Sequence, residues 1–442
     1  MNIRLAVIMV LFCFSPVSAQ AAPLGSRTVL DNGAVLLVAE RPGIPMIVMS
    51  ITLKTGAAAD PAGKEGVANL TTELLMRGTR KHTAQSLAEE LDFLGASLGV
   101  NADYETITLS LTTLTKNVEP AMSLLAEVVL TPTFPQNELE LKRQEIIGEL
   151  KSREEQPGWV AQRAFLAKLY PDHPYGRQVE GRPETLTALT QADVKTFHQT
   201  YYRPNIAIIA FAGDITQAQA IALIEKHFAD WKQAPVPAVP WPEKTPAARA
   251  CISIDKKVTQ ANIILGHPGI ARSNPDYFAV QLMNYILGAR GTESRLMKRI
   301  REELGLVYHI GSAFAVRKHA GPFMVTLQTQ NANATQAVDE SLQVLRQFTA
   351  QGMTPDELEA AKTYFINSFP LRLVSNRDVA ALLPVLEFYD LGLDYPDRYA
   401  DLVGQVTLEK AQGAAKTYIH PDQLLQVIVA DLAAAGLGKK QP

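Results

Sequence analysis

The residues that could do chemistry in this chain are few and widely spread. Its eight histidines are His82, His173, His198, His227, His267, His309, His319 and His420. No two lie three or four apart, so no helix can present a histidine pair on one face. Hydrolysis at a single zinc asks for about three protein ligands and one position left to water, and this census supplies no obvious set. Carboxylates are denser. Glu73 stands alone in KEGVANLTTELLMRGTR (64–80), and ELKRQEIIGELKSRE (140–154) carries Glu145 and Glu149. That second stretch reads as a solvated charged helix with i, i+4 pairs such as Glu138 with Lys142. In SRLMKRIREELGLVY (294–308), Arg301 is a permanent cation and Tyr308 a neutral donor. Both types suit developing negative charge. On their own they read as a surface helix charge and a half-buried strand residue.

These groups need elements to hold them. Val67, Leu70 and Leu74 recur at helical spacing, with Asn69, Thr72, Glu73 and Met76 together on another face. Gly78 would close that helix as a left-handed cap. Thr28 to Glu40 reads as a hairpin about Asp31-Asn32-Gly33, and Met46 to Leu53 as a strand. A helix is expected from Ser86 to Leu94, and TITLSLTTL (106–114) alternates as a half-buried strand. Helices follow at 119–130 and 137–154. A helix at 189–202 then precedes the strand NIAIIAFA (205–212).

Five prolines between 232 and 247 make a stiff extended connector. The stretches on either side resemble each other. LTQADVKTFHQTYYRP (189–204) superposes on VTLEKAQGAAKTYIHP (406–421) without a gap, and an apolar strand follows each. Pro135-Gln136-Asn137-Glu138-Leu139 is echoed by Pro355-Asp356-Glu357-Leu358 before a long helix. The chain is therefore expected to hold two homologous α+β domains, each a mostly antiparallel sheet with helices packed on one face. In this duplication the counterpart of the 65–77 helix is PDYFAVQLMNYIL (275–287), which carries no metal-binding types at ligand spacing. Residues 23–232 and 248–437 are the two domains, with 233–247 as the linker.

At 442 residues, 47% hydrophobic and 20% charged, the chain has the composition of a globular protein. A net charge of -3 recommends neither nucleic acid nor an anionic membrane as partner. Residues 1–22 read as a cleavable signal peptide: Arg4, a short apolar run, then Val17-Ser18-Ala19. Export, most simply to a periplasm, is the expectation, with no membrane span in the mature chain. Cys13 would leave with the signal. Cys251, in ACISI, reads as a small buried hydrophobe with no disulfide partner.

Set side by side, these motifs resemble the pitrilysin/insulinase family of zinc peptidases. Its zinc helix reads G-x-A-H-x-x-E-H-x-L-x-x-G-T. Gly66, Ala68, Leu75, Gly78 and Thr79 match that frame. The three chemical positions hold Asn69, Thr72 and Glu73 instead, and Glu149 or Glu145 falls at the family's distant third ligand. A neutral amide competes weakly with water for zinc, and Thr72 cannot replace a carboxylate base. The 294–308 segment resembles the family's S-R-L-x-x-x-x-R-x-x-x-G-L-x-Y, which implies that Arg301 and Tyr308 bind substrate and stabilise an oxyanion. Asp172-His173-Pro174-Tyr175-Gly176 resembles its H-P-Y-G segment, with His173 fixing a turn rather than holding metal. The resemblance implies a non-catalytic subunit of an exported heterodimeric zinc peptidase. It would bind unfolded peptide and lend Arg301 and Tyr308 in trans to a related subunit whose intact H-x-x-E-H carries the zinc. An inert scaffold or peptide-binding protein of the same fold is the alternative. An unorthodox metal site at Glu73 and Glu149 is a third reading.

Overall fold

The computed structural model describes residues 23–242 and 249–437; the expected signal peptide and the end of the connector lie outside them. The first half runs β1 (Ser26–Val29), β2 (Val35–Glu40), β3 (Met46–Leu53), α1 (Val67–Leu74), α2 (Ala84–Phe93), β4 (Ser97–Ala102), β5 (Ile107–Leu114), α3 (Val118–Leu130) and α4 (Gln136–Glu154). It continues with α5 (Pro157–Leu169), α6 (Pro183–Ala188), α7 (Gln191–Tyr201), β6 (Ala207–Gly213) and α8 (Gln217–His227). In the second half come β7 (Ala250–Asp255), β8 (Gln260–Pro268), α9 (Tyr277–Asn284), β9 (Val307–Phe314), β10 (Pro322–Gln330), α10 (Ala334–Gln351) and α11 (Pro355–Ser368). Last are α12 (Asn376–Phe388), α13 (Tyr395–Gly404), α14 (Leu408–Tyr418) and β11 (Leu425–Ala430).

The strands form two sheets, ordered β1-β2-β6-β3-β5-β4 and β7-β11-β8-β10-β9. Without β1, the two are one pattern. β2 runs parallel to β6 as β7 does to β11, and every other pairing is antiparallel. The superposed segments become α7 and α14, each of 11 residues. Thr190 and Thr407 cap them from the same place in the superposition, each accepting a backbone N–H. The duplication read from sequence is a duplication of fold.

Each half buries one sheet face under its own helices. In the first, Leu36, Met49, Ile51 and Leu109 meet Leu70, Leu74, Leu125 and Val194. The opposite faces hold the feature that the sequence reading lacks. There α12, from the second half, lays Val379, Ala380 and Leu383 on Val35, Leu37, Ile208 and Ala210 of the first sheet. In exchange α5 lays Val160, Ala161 and Phe165 on Ile264, Val427 and Val429 of the second. Polar ties pin both helices. Ser50 Oγ donates to the Ala380 carbonyl at 3.1 Å, and Arg27 grips Glu387 in a fork at 2.8 and 2.7 Å. Tyr170 OH donates to the Ala320 carbonyl at 3.0 Å, and Lys256 Nζ to the Glu154 carbonyl at 2.9 Å. The halves therefore share two apolar seams as well as a connector.

Two local expectations change. Cys251 is exposed, because β7 is an edge strand on which only alternate residues, such as Ile252 and Ile254, face α5. Gly78 does not cap α1 in the left-handed helical region. A further turn, Leu75–Arg77, intervenes, and Gly78 lies at φ 148°, ψ 134° in an extended conformation that ordinary residues avoid.

Candidate functional site

α1 is held at its start by a buried acid. The Asp60 carboxylate accepts the N–H groups of Gly66 at 2.6 Å and Ala68 at 2.9 Å. Burial raises the Asp60 carboxyl to about 7, although those two bonds and the nearby Arg177 pull it back. Gly66 (φ 97°) and Gly181 (φ 82°) cross back to back. A Cβ on Gly66 would come within 2.5 Å of the Glu180 carbonyl oxygen, and one on Gly181 within 2.3 Å of that of Glu65. This crossing anchors the helix whose exposed edge should carry the chemistry.

The altered positions do not share one face. Thr72 is fully buried. Its hydroxyl donates to the Ala68 carbonyl at 2.8 Å and so accepts from the Tyr202 hydroxyl at 3.1 Å. Asn69 and Glu73 face a cleft of about 500 Å³, with Lys142, Glu149 and Arg153 across from them. Lys142 does not pair with Glu138. Its ammonium reaches Glu145 at 2.6 Å and Glu73 at 3.5 Å. The hydrogen bond from Lys142, helped by Arg77, holds the Glu145 carboxyl below its usual range. Glu149 is mostly exposed, 4.0 Å from the Arg153 guanidinium, which also bonds Glu180.

That donor set does not fit zinc. The carboxylates that could ligate face ammonium or guanidinium groups of the same chain, Asn69 is a neutral amide, and Thr72 is turned into the core. Among the described residues, no three His, Cys, Asp or Glu side chains are grouped to hold a metal ion. Sequence reasoning missed Lys142 and Arg153 as occupants of the cleft. Their i, i+3 and i, i+4 spacing on α4 was visible, but the direction in which they turn was not. His173 lies where expected: its Nδ1 accepts the Tyr175 N–H at 3.1 Å, and burial pushes the imidazole down to about 4.

Arg301 and Tyr308 come together in the second half and line no part of that cleft. Arg301 sits in a wide helical segment, Met297–Glu303, closed by the Gly305 N–H on the Arg301 carbonyl at 3.1 Å. Its guanidinium carbon lies 5.4 Å from the centre of the Tyr308 ring. Tyr308 is 80% exposed, not half-buried. The reason is a bulge. His309 pairs with Gln328 of β10 but Val307 with Thr329, so Tyr308 has no partner opposite it. A bulge re-aims a side chain, and here both Tyr308 and His309 are exposed.

The fold and the motif-bearing helix define a peptidase-like protein built of two related halves. Residues 36–182 match the family described as insulinase, peptidase family M16, and residues 188–365 match the peptidase M16 inactive domain. The chain belongs to the M16 peptidase family. It is 28% identical over 342 residues to an uncharacterised zinc protease of Mycobacterium leprae, covering 76% of each chain. A solved structure described as the peptidase M16 inactive domain from Pseudomonas fluorescens superposes with a TM-score of 0.87 at 29% identity. That match covers 92% of this chain and 97% of the other. The periplasmic protease PqqL from Escherichia coli shares the fold at a TM-score of 0.78 and 16% identity. It covers 96% of this chain but 49% of PqqL, so this chain corresponds to half of that molecule.

Proposed function

We propose that this chain is the non-catalytic subunit of an exported heterodimeric zinc peptidase. A related subunit with an intact H-x-x-E-H motif holds the zinc, and this chain holds none. Arg301 and Tyr308 complete the partner's site in trans, donating to the oxyanion that forms as the peptide bond is attacked. The observation that carries this reading is a contrast. The acids at the metal-binding positions are paired with Lys142 and Arg153, whereas Tyr308 stands in solvent with Arg301 at its ring.

The chain binds unfolded peptide beside its own cleft. β4 is the edge strand of the first sheet, and Asn101 and Ala102 at its end line that cleft. An extended peptide added along this edge would gain main-chain hydrogen bonds. Export rests on the sequence of residues 1–22. Among the described residues no helix is long and apolar enough to cross a membrane.

Peptidase activity of this chain alone, of the zinc-bearing subunit alone, and of their mixture tests the reading. The expected result is activity in the mixture. Tyr308→Phe should lower its kcat by roughly 10²–10³-fold without loss of assembly, the size of effect seen when one oxyanion donor is removed. Unchanged activity in that variant would leave the inert scaffold as the surviving reading. Activity of this chain alone, abolished by chelation, would overturn the assignment of zinc to the partner.

A further inference from the structure

A second cavity, of about 250 Å³, opens between α5 and the outer face of the second sheet. His309, the residue after Tyr308, pairs in regular register with Gln328, and both line this cavity. Its floor is apolar: Ala161 is fully buried and Met324 half-buried. Its rim is amide and imidazole: Gln162, Asn262, Gln328 and His309. No Asp, Glu, Lys or Arg is among the described residues lining it. In a chain that is 20% charged, beside a cleft crowded with ion pairs, that neutrality is a chemical statement. Gln162 also lines the degenerate cleft, so α5 joins the two cavities on one side of the molecule.

We propose that this cavity is a side-chain subsite for the bound peptide, selecting a large neutral residue with a polar tip, of which tyrosine is the best fit. The inference rests on the reading of the chain as a peptide-binding subunit. An aromatic ring would lie against Ala161 and Met324 and gain from apolar contact. Its hydroxyl would find acceptors and donors in Gln162, Asn262 and His309. A carboxylate or ammonium would lose its water with no opposite charge to meet it. An aliphatic side chain would gain the apolar contact but none of the rim's hydrogen bonds. His309 is the specificity-determining residue, since its regular pairing with Gln328 sets the imidazole on this rim beside that amide.

Equilibrium binding to the full mature chain tests the subsite without its partner. The probes are fluorescent, unstructured alanine-glycine peptides that carry a single Tyr, Leu, Asp or Lys. The expected order is Tyr over Leu over Asp and Lys, with Tyr favoured over Asp by about tenfold. In His309→Ala with Gln162→Ala that ratio should fall below about twofold. A second variant, Asn262→Ala, should reduce the preference for Tyr over Leu. Equal affinity of the native chain for Tyr and Asp peptides overturns the subsite. So does a preference that survives the double variant with a native circular dichroism spectrum. A preference found here together with an inactive mixture would retain the subsite and reject only the trans-completion reading.

Discussion

The halves share a strand order and differ at its edge, and that difference sorts much of the molecule. β2 and β7 are counterparts: each runs parallel to the strand that follows α7 or α14. β2 has β1 as a neighbour on its other side, and five of its six residues are buried. Among the described residues β7 has no such neighbour, and it alternates between half-buried and exposed. The same divergence runs through the chemistry. The first half keeps its motif helix capped by Asp60 and fills the neighbouring cleft with internal ion pairs. The second half bulges its edge strand β9 at Tyr308 and puts that residue in solvent. One duplicated frame has been closed on one side and opened on the other.

The two halves depend on each other most at the seams. If each sheet depends on the helix that the other half lends it, removing either anchor should destabilise both halves together. Phe165 on α5 and Leu383 on α12 are fully buried against the foreign sheet. Phe165→Ala should cost about 3–5 kcal/mol and Leu383→Ala about 2–5 kcal/mol, the usual range for such cavities. Urea unfolding followed by circular dichroism reports both halves. Fluorescence of a variant that keeps only Trp231, buried in the first core, reports one. Coincident midpoints in both variants are expected. A Phe165→Ala transition that splits, with Trp231 unaffected, would mean that the halves fold separately and the seams are incidental.

What the sequence made legible follows from range. Local pattern placed β3, β5, α4 and α7 to within a few residues, and α14 followed from its superposition on α7. The duplication was legible because it needs only internal comparison. The lent helices were not, since nothing in Pro157–Leu169 says that its apolar side belongs to a sheet some hundred residues further on. The same holds within the cleft. Glu73 was visible as a lone carboxylate, but its pairing with Lys142 depends on how α4 rotates against α1. Thr72 entered the core because Tyr202 offers it a hydroxyl, and Tyr308 left the sheet through a one-residue shift that pattern alone does not register.

Acid should act on both halves through buried imidazoles. His198 in the first half donates its Nε2–H to the Val129 carbonyl at 2.8 Å. Burial holds it at about 4, as it does His267 in the second half. Between pH 6.5 and 4 the unfolded chain binds protons that these sites refuse. Stability is therefore full above 6.5 and lost as pH falls through that window. For His198 the loss is on the order of 3 kcal/mol. Asp60 works the other way: its raised carboxyl adds stability below 3.8 that is lost as pH rises through about 7. Thermal unfolding against pH should show His198→Gln flattening the acid limb and Asp60→Asn flattening the decline toward neutrality. An unchanged acid limb in His198→Gln would mean that this imidazole is not what couples the first half to pH.

The smallest expected effect sharpens the edge comparison most directly. Cys251 lies on β7 at the place where an added neighbour like β1 would have changed its surroundings, and its side chain is exposed. A buried thiol reacts only when the fold opens; this one should react with a soluble thiol reagent in the native state at nearly the rate of the unfolded chain. Cys251→Ser removes no packed group, so the free energy of unfolding should change by no more than about 0.5 kcal/mol. Slow labelling that accelerates only with denaturant would place the thiol under a covering element and erase the contrast between β2 and β7. Fast labelling that slows when the proposed zinc-bearing subunit is added, with no change in unfolding, would instead put that partner along this edge. The free edge of the second sheet would then do for the heterodimer what β1 does within the first half.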